Sequence, residues 1–111
     1  MNDLGPDSPA MQRVRAAFLR VHVDRHDRLE ELNLRLSSKR ATSEDVREAE
    51  DILHKIAGAA GTLGLRELGD AARDVEILFL EAREAGFGDA GTLSRALEWF
   101  LNLSITHCDA A

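Results

Sequence analysis

Residues 52–68 read Ile-Leu-His-Lys-Ile-Ala-Gly-Ala-Ala-Gly-Thr-Leu-Gly-Leu-Arg-Glu-Leu. Leu53, Ile56, Ala60 and Leu63 recur at three- and four-residue steps, the period of a helix with one buried stripe. His54 falls about 100° round the helix from Leu53, beside the stripe rather than on it. One turn further on the same side stands Gly58, and Arg47, Glu50 and Gly61 share that side. Glycine inside a helix costs roughly 0.8–1.0 kcal/mol relative to alanine, so its presence calls for a compensating use. Without a side chain at 58, the His54 ring is open to something bulky, such as the active site of another protein.

The same period extends in both directions. Upstream, Pro9 suits a first helical position behind Ser8 as cap, and Val14, Phe18, Val21, Leu29, Leu32 and Leu36 follow, with Arg25 interrupting the stripe. This first helix is expected to run to about Ser37. Thr42-Ser43-Glu44-Asp45 supplies a cap and first-turn acids for the second helix, which buries Val46 and Ala49 along with the residues above. Gly61 to Gly64 marks a turn, after which Leu65, Leu68, Ala72, Val75, Phe79 and Ala82 form a third stripe. Residues 85–91 hold three glycines and end it. Leu93, Leu97, Phe100, Leu101 and Ile105 define a fourth. No segment alternates as a strand would. The expected fold is all-α, an antiparallel up-down-up-down four-helix bundle over residues 9–111, preceded by a short flexible arm over residues 1–8.

Residues 54–65, together with Leu68, Ala72, Val75 and Glu76 downstream, resemble the core motif of histidine phosphotransfer (HPt) domains. That motif is a histidine, an aliphatic residue two on, usually a lysine three on, a glycine four on, small residues, and Leu-Gly. The similarity is strong over about residues 46–85 and is closest to the chemotaxis-kinase and hybrid-sensor-kinase type. It implies that His54 is the phosphoacceptor of a two-component phosphorelay, receiving from or giving to a histidine kinase or a receiver-domain aspartate. It further implies that Glu76 accepts a hydrogen bond from Nδ1–H of His54, leaving Nε2 as the nucleophile, and that Arg73 stands near the phosphoryl oxygens. The docking surface would comprise Arg47, Glu50, Ala57 and Gly61 around Gly58. Where the family carries its lysine, this chain has Ala57, and Lys55 is the nearest substitute.

An imidazole suits the task, because it is largely uncharged near neutral pH and can bear a phosphoryl group on nitrogen. Phosphoryl transfer relies on in-line positioning and on cations balancing the oxygens, so a carrier can leave Mg²⁺ and the catalytic machinery to its receiver partner. No cofactor is expected on this chain. No phosphate-cradling loop ending in Lys-Ser/Thr is present, which argues against ATP binding and autonomous kinase activity. The alternative reading is an HPt-like docking module that is not phosphorylated and binds or inhibits a kinase or receiver.

Composition narrows the remaining classes. With 14 Lys and Arg against 20 Asp and Glu, the net charge of −6 and the lack of a basic block speak against nucleic acid as partner. No apolar run approaches the roughly 18 residues of a membrane span, and no signal segment opens the chain. Cys108 is the single cysteine, so an internal disulfide is impossible. A cytoplasmic, free-standing carrier is the expectation. His22 and His26 have the four-residue spacing of a helical ligand pair, with Asp24 and Asp27 nearby. With no further ligand evident, a solvated helix face is expected there and no metal site. His107 and Cys108 are expected in a frayed tail.

Overall fold

In the computed structural model, residues 8–108 are described. They form four helices: α1 Pro9–Ser37, α2 Ser43–Thr62, α3 Arg66–Glu84 and α4 Ala90–Cys108. The expected arm falls almost wholly on residues outside the described range.

Each boundary has a local cause. The Ser8 side chain accepts from the Met11 backbone N–H, and Pro9 takes the first helical position. At α2, Thr42 and Asp45 cap one another reciprocally. The Thr42 backbone N–H, and then the Arg35 guanidinium, hold the Asp45 carboxyl below the usual carboxylate range. α2 stops where Gly64 adopts φ +79°, a left-handed conformation open to glycine, and Leu65 N–H closes back on Ala60 O at 2.9 Å. The same closure recurs where Arg40 N–H meets Arg35 O at 2.8 Å and Phe87 N–H meets Ala82 O at 2.6 Å. Three short connections of this type dictate antiparallel neighbours.

The four stripes meet in one core of leucine, alanine and phenylalanine, in which Leu29, Leu32, Leu53, Ile56, Leu68, Leu97, Phe79 and Phe100 are fully buried. α2 packs most intimately on α3, and α1 on α4. The closeness of α2 to α3 rests on Gly69. A Cβ there would stand 3.1 Å from the Gly61 backbone nitrogen and 3.4 Å from Ala57 O, tighter than side chains tolerate without a shift. The small residues of 57–61 are thus matched by a glycine on the facing helix.

Two expectations about the first and last helices are corrected. His22 and His26 do not lie on a solvated face: both are buried against α4, whereas Val14 and Val21 are about half exposed. The buried stripe runs Phe18, His22, His26, Leu29, which keeps helical period with imidazoles in place of aliphatic side chains. On α4 the inward residue is Ser104, and Ile105 is exposed. Ser104 Oγ lies 2.7 Å from His22 Nε2 and 2.8 Å from His26 Nδ1, so one hydroxyl serves both rings. His107 and Cys108 belong to the last turn of α4 rather than to a frayed tail.

Ser104→Ala is therefore expected to cost more than an ordinary surface change. It leaves a buried nitrogen of each ring without its partner, at about 1–3 kcal/mol per orphaned group. A Tm lowered by several degrees in a thermal melt, with helical content retained, is the expected outcome; an unchanged Tm would show that water replaces the hydroxyl.

Candidate functional site: an exposed histidine between two helices

α2 and α3 run side by side, and His54 stands on their outer seam. Leu53 and Ile56, fully buried, anchor that stretch of α2 and turn His54 outward, where its side chain is 71% exposed. Across the seam, Val75 and Phe79 anchor α3 in the same way and bring Glu76 up to the ring. His54 Nδ1 lies 2.6 Å from Glu76 Oε2, and the Glu76 side chain is only 17% exposed. A carboxylate accepts, so in the neutral ring Nδ1 carries the proton and Nε2 carries the lone pair. The acid is the better-covered partner. It fixes the ring, while the ring's far edge faces solvent.

Two shallow grooves flank the histidine. One is lined by Ala57, Gly58, Arg73, Glu76, Ile77 and Leu80. Ile77 and Leu80 are 47% and 39% exposed, giving this side an apolar rim beside the reactive edge. The other is lined by Arg47, Glu50, Asp51, Glu76 and Arg83 and is charged. Gly58 has no neighbour within 4 Å of where a Cβ would stand, and Gly61 likewise. Space above the α2 surface here is open because of sequence rather than because of a loop.

The remaining residues singled out in the sequence sort themselves by position. Arg47 and Gly61 are exposed on the His54 side. Glu50 is largely covered and forms an ion pair with Arg83 of α3. Ala57, expected on the outer surface, is 4% exposed and contributes only to the floor of the apolar groove; it faces α3, where Gly69 comes close to its carbonyl. Lys55 does not curl toward His54. Its Nζ pairs with Asp51 Oδ2 one turn back at 3.0 Å, both side chains being more than half exposed. Arg73 lines the same groove as His54 and, among the described residues, has no ion pair. Sequence reading did not single out Gly69, Ile77, Leu80 or Arg83. The i,i+4 spacing of Asp51 and Lys55 was available as a signal, but pairings across helices were not.

This arrangement makes Arg73 the stronger candidate for balancing charge at Nε2. Arg73→Gln is expected to reduce the phosphorylation rate of His54 or the lifetime of the product several-fold. Lys55→Ala is expected to change either by less than twofold, since exposed pairs such as Lys55–Asp51 hold their partners by about 0–1 kcal/mol and organise little. Rates from autoradiography of the two variants decide it; a larger loss in Lys55→Ala would reverse the assignment.

The described residues thus form a four-helix bundle with an oriented, solvent-facing imidazole on its α2–α3 seam. The family comparison agrees: the Hpt domain model matches residues 13–103, and the chain belongs to that family. No curated protein and no solved structure gives a significant match. Hpt domains serve histidine phosphotransfer in phosphorelays, acting as phosphocarrier modules rather than kinases, with histidine kinases and receiver domains as partners. No helix among the described residues is long and apolar enough to cross a membrane.

Proposed function

We propose that this protein is a cytoplasmic phosphorelay carrier in which Nε2 of His54 accepts a phosphoryl group from a receiver-domain aspartyl phosphate or a histidine kinase and passes it on. The observation that supports this most is the ring itself, 71% exposed and held through Nδ1 by the better-buried Glu76. With a receiver as donor, the lone pair on Nε2 attacks phosphorus, the N–P bond forms as the acyl O–P bond breaks, and the aspartate carboxylate leaves. The positive charge that develops on the ring is balanced by the Glu76 carboxylate through Nδ1–H. The reverse reaction uses the same geometry. Magnesium, which neutralises the transferring oxygens, is assigned to the receiver. Gly58 and the Ile77–Leu80 rim give the incoming partner its clearance and its apolar contact.

Incubation with a phosphorylated receiver, followed by label transfer, tests this reading. Acid-labile, base-stable label on His54 is the expected result. A stable complex that never transfers label would establish the rival reading, a docking module that has kept the bundle but not the chemistry.

Glu76→Gln separates orientation from docking. The amide can present either an acceptor or a donor to Nδ1, so it no longer dictates which ring nitrogen bears the proton. Phosphorylation is expected to slow roughly tenfold or more, as expected when a group acting through a catalytic ring is lost. Nitrogen chemical shifts should report a mixed tautomer, and receiver binding should persist. A single unchanged tautomer with an unchanged rate would mean that Glu76 does not orient the ring.

A further inference from the structure

On the opposite side of the bundle from the α2–α3 seam, α1 and α4 enclose a polar cluster that phosphotransfer does not use. His22 is fully buried and His26 nearly so, and Cys108 lies half-buried one turn beyond Ser104. One ligand-capable atom from each of His22, His26 and Cys108 can be chosen so that all three lie within 4.8 Å of one another. His22 Nδ1 is buried with no hydrogen-bond partner, the one such side-chain atom among the described residues. Two imidazoles and a thiol brought this close, with one ring carrying an unpartnered buried nitrogen, are a donor set suited to a metal ion.

The hydrogen bonds indicate which nitrogen is the acceptor. His26 Nε2 lies 3.1 Å from Glu30 Oε1, and a carboxylate can only accept, so that nitrogen bears a proton. In the neutral His26 ring, Nδ1 then accepts from the Ser104 hydroxyl at 2.8 Å. With its proton so committed, Ser104 Oγ accepts from His22 Nε2–H at 2.7 Å. What remains at the end of this chain is His22 Nδ1 as a bare lone pair. The pattern matches the way ligating histidines are usually held, with the far nitrogen donating to a fixed acceptor. Phe18, stacked on the ring at 5.7 Å between centroids, restrains its rotation.

We propose that His22, His26 and Cys108 form a binding site for a borderline divalent transition metal of the zinc class, which staples the middle of α1 to the end of α4. Imidazole and thiolate together favour such an ion over magnesium or calcium, which prefer oxygen. Tetrahedral bonds of about 2.0–2.3 Å place ligand atoms roughly 3.5 Å apart, so the cluster contracts by about 1 Å on binding. Rotation of the Cys108 side chain at the helix terminus supplies most of that movement, and the Ser104 hydroxyl turns away as His26 Nδ1 engages. Water completes the coordination on the solvent side of Cys108. Deprotonation of Cys108 on binding releases one proton to solvent.

The full chain, stripped with chelator and kept reduced, is titrated with Co²⁺ as a spectroscopic probe and then with Zn²⁺. One cobalt per chain should bind with tetrahedral visible bands and a near-ultraviolet thiolate-to-cobalt band, and one zinc should displace it and raise the Tm. Because Cys108 is the only cysteine, Cys108→Ser should abolish the thiolate band and weaken cobalt binding at least tenfold while leaving phosphotransfer intact. His26→Gln should weaken binding similarly while retaining the fold. Absence of the thiolate band at equimolar cobalt would overturn the proposal. So would a stoichiometry of one ion per two chains, which would show Cys108 bridging molecules instead.

Discussion

His54→Gln will take up no phosphate while keeping its helices. The glutamine amide is not nucleophilic, so no N–P bond can form at that position. Its side chain still reaches toward Glu76 and can donate to the carboxylate, so the better-buried acid keeps a partner. The native ring is largely exposed and contributes little to the core. Stability is therefore expected to change by no more than about 0.5 kcal/mol, the range of ordinary surface substitutions. Acid-labile label after incubation with a phosphorylated receiver should drop to background, with an unaltered thermal melt measured alongside. Label retained at the native level would place the acceptor on one of the other three histidines, of which His22 and His26 are buried.

Gly58→Leu is expected to have the next largest effect, and in two directions at once. A Cβ at 58 meets nothing within 4 Å, so the substitution introduces no clash inside the molecule. Replacing a mid-helix glycine should even stabilise α2 by about 0.5–1 kcal/mol. The added side chain would nevertheless stand one turn from His54, over the open space that a partner has to enter. Transfer should fall by roughly a hundredfold, equivalent to about 2.8 kcal/mol of lost interaction at the rate of 1.4 kcal/mol per tenfold. A variant that melts higher yet transfers far more slowly would show that the glycine serves access at the expense of stability. Normal transfer rates in the folded variant would remove Gly58 from the docking surface.

The bundle was legible because its stripes are regular and its stops are local. Ser8 with Pro9, Thr42 with Asp45, and Gly64 each act within a few residues of themselves, so reading the chain linearly is enough to find them. His54 with its open neighbour Gly58 was legible for the same reason. The first helix is harder to read, because apolar identity is a poor mark of burial there. Val21 drew the stripe to itself, and His22, one position on, was set outside it. The partner that makes a buried imidazole tolerable, Ser104, lies 82 residues away. Ile105 drew the α4 stripe in the same way, and Ser104 was passed over. These are one misreading seen from two helices: a polar pair that satisfies itself looks like surface until both halves are in view. For Lys55, the competing acid Asp51 is visible in the sequence at i−4, whereas its geometry relative to His54 is not.

The α2–α3 pair is fastened on either side of the histidine. Toward one end Glu50 is joined to Arg83, and toward the other Gly69 lets the two backbones touch near Gly61. His54 and Glu76 lie on the span between these fastenings, like a bracket on a beam clamped at both ends. A beam held that way has little compliance in the middle. A partner pressing on the seam therefore cannot spread the helices to suit itself, and the distance between ring and carboxylate stays put under load. Under the proposed relay, the adjustment during an encounter would then fall to the partner rather than to this seam.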